Sequence, residues 1–229
     1  MFSFLNKKNS EANKKLKEVY EQKGFYCDEY IEAFLATKKK ITSDDHMTLC
    51  EIYTEMERYE EAQKELLQIH AGSILDDMAV GQRAFCQINY YIETGDFDKA
   101  IEVYNDKVRF LDVFFKNPAR SRLAGDYYFH AALLCTLMCQ KDPSAEKALA
   151  EKIDTYYARL REWCDIFPRN RILYEITVVR VLFVQNKEEV GEAFDNCRKT
   201  ILDFDFKHEW EREYFLRKLD RTKRITHEA

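Results

Sequence analysis

Apolar residues recur every three or four positions along most of the chain, the spacing that places them on one face of an α-helix. No stretch alternates apolar and polar residues convincingly over the length of a strand. Three series show the helical spacing most clearly: Tyr59, Ala62, Leu66 and Ile69; Phe97, Ala100, Tyr104, Val108 and Leu111; and Val190, Phe194, Cys197, Ile201 and Phe204. The pattern predicts an all-α protein.

Breaks in this pattern divide the chain into about ten helices joined by short connections. Short connections force successive helices to lie antiparallel as hairpins. No segment rich in proline, glycine and serine interrupts them, so we predict a single domain over residues 1–229. The breaks are Gly24, Thr42–Asp45, Gly72-Ser73, Gly95-Asp96, Asn117-Pro118, Asp142–Ser144, Phe167–Asn170 and Asn186-Lys187.

Two segments of the chain repeat each other, at about 43–72 and about 81–110. Tyr53 aligns with Tyr91, and Ala62 aligns with Ala100, each pair being 38 residues apart. Such a period in an all-helical chain predicts an array of stacked helix hairpins.

The second copy resembles the tetratricopeptide repeat (TPR), a two-helix motif of about 34 residues. Tyr91, the turn Gly95-Asp96-Phe97, Ala100 and Tyr104 carry the resemblance. It implies a TPR-like α-solenoid, with weaker hairpins at about 120–165 and 170–204. The longer period and Ile88, where the motif has a small residue, depart from it. An unrelated compact helical bundle is the alternative.

The resemblance also implies that the first helix of each hairpin lines a concave face that binds partners. Met47 and Glu51 stand where carboxylate-binding TPR modules have lysine and asparagine, so we do not expect a carboxylate clamp. The predicted groove is acidic and aromatic, which suits a basic or amphipathic peptide. In the alternative interpretation, Phe85 and Ile92 belong to the core. The predicted partner-binding residues are Met47, Glu51, Glu55, Phe85, Asn89, Ile92 and Glu93.

Composition and charge narrow the classes of protein. Six glycines and three prolines are too few for the turns of an all-β sandwich. A net charge of −5 disfavours nucleic-acid binding. The basic runs Lys38–Lys40 and Arg217–Arg224 are interpreted as solvated helix ends, with contact to nucleic acid or an acidic partner as the alternative. We find no membrane span and no secretory signal, and expect a cytoplasmic protein.

Known catalytic and metal-binding motifs are missing from the sequence. It has no glycine-rich phosphate loop, no His-Glu-x-x-His and no Cys-x-x-Cys. Cys135 and Cys139 share a helix face, but two thiols fall short of the four ligands of structural zinc. We interpret the seven cysteines as reduced, mostly buried residues. No cofactor or metal is predicted.

These observations favour a non-catalytic scaffold that binds a protein or peptide on the concave face of a TPR-like array. Two alternatives stay open. One is the effector or dimerisation portion of a transcription regulator, and the other is an enzyme whose site is not visible in sequence. A homo-oligomer is also compatible with the sequence.

Overall fold

The structure is a computed structural model that describes residues 2–69, 77–115, 121–166 and 169–227. Within these ranges the chain forms eleven α-helices and no strand, which confirms the all-α prediction. The helices are α1 (Phe2–Lys23), α2 (Asp28–Ala36), α3 (Ser43–Glu55), α4 (Tyr59–Gln68), α5 (Asp77–Glu93), α6 (Phe97–Phe115), α7 (Ser121–Lys141), α8 (Glu146–Ile166), α9 (Asn170–Val184), α10 (Val190–Asp203) and α11 (Glu209–His227).

Several helix ends follow directly from local chemistry. Thr42 caps α3 by accepting a hydrogen bond from the Asp45 backbone N–H, while the Asp45 carboxylate accepts one from the Thr42 N–H. Gly95 takes a positive φ of 78° in the turn between α5 and α6. Glu57, 38 residues earlier, takes a φ of 60° in the turn between α3 and α4. The two sequence copies therefore share a left-handed residue at the same point of the hairpin.

The contacts of the chain form two compact units, although the sequence shows no boundary. The first unit contains residues 1–70 and 205–214, and the second contains residues 71–204 and 215–229. Helix α11 contributes its beginning to the first unit and its larger part to the second. The described part of the first repeat copy lies in the first unit and the second copy lies in the second unit, while the single domain stays a prediction.

The first unit is built on the α1–α2 and α3–α4 hairpins. Its buried core is aromatic and aliphatic. The beginning of α11 contacts the α1–α2 hairpin, because the Tyr214 ring stacks on Tyr26 with centroids 4.7 Å apart and Trp210 packs against Tyr20. The core residues are Tyr30, Ile31, Phe34, Leu49 and Ile52.

The second unit consists of three consecutive hairpins, α5–α6, α7–α8 and α9–α10. The first helix of each hairpin also contacts the first helix of the next, so α5 contacts α7 and α7 contacts α9. The second helices α6 and α8 contact the first helix that follows them. A 3₁₀ turn at Pro143–Ala145 joins α7 to α8.

Three residues of the predicted repeat are buried within the α3–α4 and α5–α6 hairpins. Ala62 on α4 and Ala100 on α6 are completely buried, and Tyr104 is 2% exposed. Small residues at these points let the paired helices approach closely. The predicted breaks at Gly72-Ser73, Asn117-Pro118 and Phe167-Pro168 lie outside the described residues, as do the end of the first repeat copy and the start of the hairpin predicted from residue 120.

Candidate functional site

The most unusual feature of the second unit is a buried carboxylate at the end of α5. The Glu93 side chain has no exposed surface. Helix α5 places it one turn beyond Asn89, because residues four apart lie on the same helix face. A buried ionised carboxylate is costly unless cations and hydrogen bonds surround it.

Arg180 of α9 supplies the first of these partners. Its Nη1 donates to Glu93 Oε1 over 2.8 Å, and its Nη2 donates to Glu93 Oε2 over 3.3 Å. This two-pronged arrangement links the first helix of one hairpin to the first helix of the last hairpin, 87 residues along the chain. Arg180 is itself buried, so the pair is shielded from solvent.

Helix α11 supplies two more cations to the same carboxylate. Arg221 Nη1 donates to Glu93 Oε2 over 2.8 Å, and Lys218 Nζ lies 3.5 Å from Oε1. Arg180 Nε donates to Thr222 Oγ1 over 3.1 Å, which ties α9 to α11 as well. Glu93 is thus shared by three cations from two helices.

The charge state of Glu93 follows from this arrangement. Burial by itself would raise the pKa of the carboxyl group, but Arg180, Lys218 and Arg221 hold the pKa well below its ordinary value. Glu93 is therefore ionised at neutral pH, and the cluster is an ion network.

A neutral histidine lies beside this network. His130 of α7 is 5% exposed, and its Nε2 lies 3.0 Å from Asn89 Oδ1. Burial, followed by the positive charge of Lys218, lowers the pKa of His130 to about 3. A neutral ring with its proton on Nε2 donates to the asparagine oxygen, and Phe85 packs near the ring with centroids 5.9 Å apart.

We call the surface formed by Asn89, Glu93, His130 and Arg180 the three-helix face, because α5, α7 and α9 each contribute to it. Together with Phe85, it places one carboxylate, one guanidinium, one amide and one imidazole beside an aromatic ring, all of them buried. Lys218, Arg221 and Thr222 of α11 lie against this face.

Helix α11 also contacts α10 in the second unit. Lys223 Nζ lies 3.6 Å from the centre of the Phe194 ring, and Arg198 Nη1 donates to Asp220 over 3.1 Å. The apolar side of α11 contributes Leu219, which is completely buried, and Phe215, which is 4% exposed. The last helix is therefore basic and amphipathic.

The structure brings together part of the predicted partner-binding set. Phe85, Asn89 and Glu93 lie on or beside the three-helix face, and Ile92 belongs to the core of the second unit. Met47, Glu51 and Glu55 lie on α3 in the first unit. All but the half-buried Glu51 are buried, so in this conformation they offer little surface to a partner. Glu93, which the sequence predicts to line a groove, is completely buried in this conformation.

Sequence reasoning missed the partners of Glu93. It interpreted the run Arg217–Arg224 as a solvated helix end, whereas Lys218 and Arg221 are 5% and 2% exposed. Arg217, Lys223 and Arg224 are exposed, as expected. Arg180 did give a signal, because a single arginine inside the apolar run of α9 needs a buried counter-charge.

A cleft lies between α8 and α9, apart from the three-helix face. It is an open cleft of about 800 Å³ with α7 also contributing to its walls. Tyr157 and Tyr174 meet edge to face in it, with centroids 6.1 Å apart. Burial, and then Tyr174, raise the pKa of Tyr157 to about 12, so the cleft presents a neutral phenol.

The cysteines match their predicted role as small, mostly buried residues. All seven are free thiols, and Cys50, Cys86, Cys135 and Cys197 are buried. The Cys135 thiol donates to the Tyr104 hydroxyl over 3.7 Å, and that hydroxyl lies 2.6 Å from the Tyr156 hydroxyl. Cys135, Tyr104 and Tyr156 are all buried, and these hydrogen bonds replace contacts with water.

Within the described part of the chain, no three histidine, cysteine or acidic side chains group in a way that would hold a metal ion. Among the same residues, none of the helices has the length and apolar character needed to cross a bilayer.

Comparison with known proteins gave no match to a family model, to a curated protein or to a solved structure.

Proposed function

We propose that the chain is a non-catalytic, TPR-like interaction protein that binds a basic amphipathic helix of a partner on its three-helix face. The observation that carries the proposal is the contact of Glu93 with Lys218 and Arg221. A basic amphipathic helix, the chain's own α11, already lies against the face through this carboxylate.

The contact pattern of the second unit supports a TPR-like arrangement. In stacked hairpins, each first helix packs on its own second helix and on the next first helix. Helices α5 to α10 make these contacts in order, and the Gly95 turn, Ala100 and Tyr104 occupy the motif positions. Such arrays use the row of first helices for partners, and here that row carries the three-helix face.

The chemistry of the face favours a cationic helix over an extended peptide or a free carboxylate. Glu93 offers two carboxylate oxygens, which two side chains of one helix turn reach together. An amphipathic helix lying in a groove places its contacts three or four residues apart. The spacing of Lys218 and Arg221 follows this rule.

The test uses the full chain carrying Arg221→Met, which loosens α11 while Glu93 stays paired with Arg180. A fluorescein-labelled peptide with the sequence of residues 209–227 is titrated and followed by fluorescence anisotropy. We expect saturable binding, weakened at least about tenfold when the peptide carries Lys218→Glu and Arg221→Glu, because close ion pairs at interfaces are strongly coupled.

Equal binding of the two peptides would contradict the proposal. A further variant, Tyr157→Ala, serves as control for the α8–α9 cleft and should leave the affinity unchanged. If Tyr157→Ala abolishes binding and the charge reversals do not, the peptide binds in the cleft and the three-helix face is not the site.

A further inference from the structure

We infer that the second half of α11 is an internal ligand, which occupies the three-helix face until a partner helix with the same pattern of residues displaces it. This inference rests on the proposed function and adds the recognition pattern of the partner and the regulation of the site.

The contacts of α11 define the residue pattern that a competing helix has to carry. Phe215 and Leu219 form its buried apolar side, four residues apart. Lys218 and Arg221 reach the two oxygens of Glu93 from positions three apart, and Thr222 accepts from Arg180. A competing helix therefore carries two aromatic or aliphatic residues four positions apart and two cations three positions apart beside them. In this chain the pattern is Phe-x-x-Lys-Leu-x-Arg-Thr over residues 215–222.

The face is constructed so that α11 can leave without stranding a buried charge. Arg180 donates two hydrogen bonds to Glu93, one to each oxygen, and both residues belong to the hairpin stack. Asn89 and His130 likewise keep their hydrogen bond to each other. Because a buried carboxylate without any cation is strongly destabilising, this retained pair is what makes an open state accessible.

Because α11 occupies the three-helix face, it lowers the apparent affinity of the face for an outside helix. A segment tethered to its own site competes as if present at a high local concentration. The apparent dissociation constant of an outside helix is the intrinsic constant divided by the fraction of molecules with an open face. Weakening α11 therefore tightens the binding of an outside helix, although nothing on the face itself has changed.

The experiment compares three full-length chains in a titration with the labelled 209–227 peptide: the parent, Arg221→Met and Arg217→Met. Arg217→Met is the matched control, because Arg217 lies on the same helix, carries the same charge and is exposed. We expect Arg221→Met to bind at least about tenfold more tightly than the parent, and Arg217→Met to bind like the parent. Lys218→Met is a second loosened variant if Arg221→Met does not fold, as judged by circular dichroism.

The outcomes separate the two proposals. If the parent binds the peptide as tightly as the loosened variants and still discriminates against the charge-reversed peptide, α11 is not a competitor and the inference is overturned, while the proposed function stands. If no loosened variant discriminates between the peptides, the proposed function itself fails. An equal gain in affinity for the peptide in the Arg217→Met variant would also overturn the inference, because it would reflect net charge alone.

Discussion

Arg221 donates a hydrogen bond to the carboxylate of Glu93, a residue 128 positions earlier in the chain. Both side chains are buried, at 2% and 0% exposure. The contact joins α11 to the end of α5. It places α11 against the face on which we propose that a partner binds, and on that proposal an outside ligand has to reproduce the same contact.

We predict that Glu93→Gln destabilises the protein by about 3–5 kcal/mol at pH 7, because three buried or nearly buried cations lose their shared anion. Urea unfolding measures the effect. The control is Glu102→Gln on α6, an exposed carboxylate whose loss should change stability by less than about 0.5 kcal/mol. Equal stability of both variants would mean that Glu93 is not ionised in the folded state.

The sign of the pH dependence at Glu93 follows from its lowered pKa. Its contribution is complete above the unfolded carboxyl pKa of about 4.3, and it is lost as pH falls through the lower pKa of the folded state. Acid unfolding of the parent should therefore occur at a lower pH than acid unfolding of the Glu93→Gln variant, in which the ion network is already broken.

The lowered pKa of His130 predicts a second loss of stability, at a higher pH than the loss that Glu93 causes. Its folded pKa is about 3, against about 6.5 in the unfolded chain, so only the unfolded state takes up the proton as pH falls below 6.5. Between pH 7 and pH 5 this lowers the free energy of unfolding by about 2 kcal/mol, at about 1.4 kcal/mol per pKa unit. Chemical denaturation at the two pH values measures it.

His130→Gln is the control for that experiment. Glutamine keeps an amide donor for Asn89 but does not titrate, so the difference between pH 7 and pH 5 should shrink by most of those 2 kcal/mol. An unchanged difference would mean that His130 is protonated in the folded protein, or that another group causes the effect.

Ala100→Leu tests the closure of the α5–α6 hairpin. Ala100 is completely buried, so three added carbons overpack the contact and should cost about 1–3 kcal/mol. The matched change Ala148→Leu falls on an exposed position of α8 and should be nearly neutral. Both are measured from the midpoint of chemical unfolding, and an unshifted midpoint for Ala100→Leu would contradict the packing described above.

Gly24→Ala tests the first unit. Gly24 has a φ of 81°, and a Cβ placed on it would lie 2.5 Å from the Trp210 ring. The left-handed conformation alone costs an alanine about 1–2 kcal/mol, and the clash adds to it. Gly191→Ala, on an exposed turn of α10 with open space around it, should stabilise by about 0.5–1 kcal/mol. The two thermal unfolding midpoints should move in opposite directions.

The fold class and the hairpin turns could be predicted because their determinants are local. The apolar spacing of α6, the cap at Thr42 and the small residue Ala100 act within one or two helices. The sequence also led to the prediction that Glu93 binds a partner, but its burial was not predicted. Its partners lie 87 to 128 residues away, and no local pattern connects them.

The basic run of α11 shows why the burial of Lys218 and Arg221 escaped prediction. A basic run toward the C-terminal end of a helix is commonly solvated, so no local feature distinguishes Lys218 and Arg221 from the exposed cations beside them. The distinction between solvated and buried cations depends on which surface the helix meets, and only the folded chain supplies that surface.

The most direct test of the central claim is a double-mutant cycle across the proposed interface. The full chain with Arg221→Met is titrated with the 209–227 peptide, with and without Glu93→Gln in the chain and Arg221→Met in the peptide, after circular dichroism has shown that both chains are folded. If the peptide lies on the three-helix face as α11 does, the two changes should be coupled by at least about 1.5 kcal/mol, as close charge pairs are. Additive effects would show that the peptide arginine does not meet Glu93, and would contradict the account.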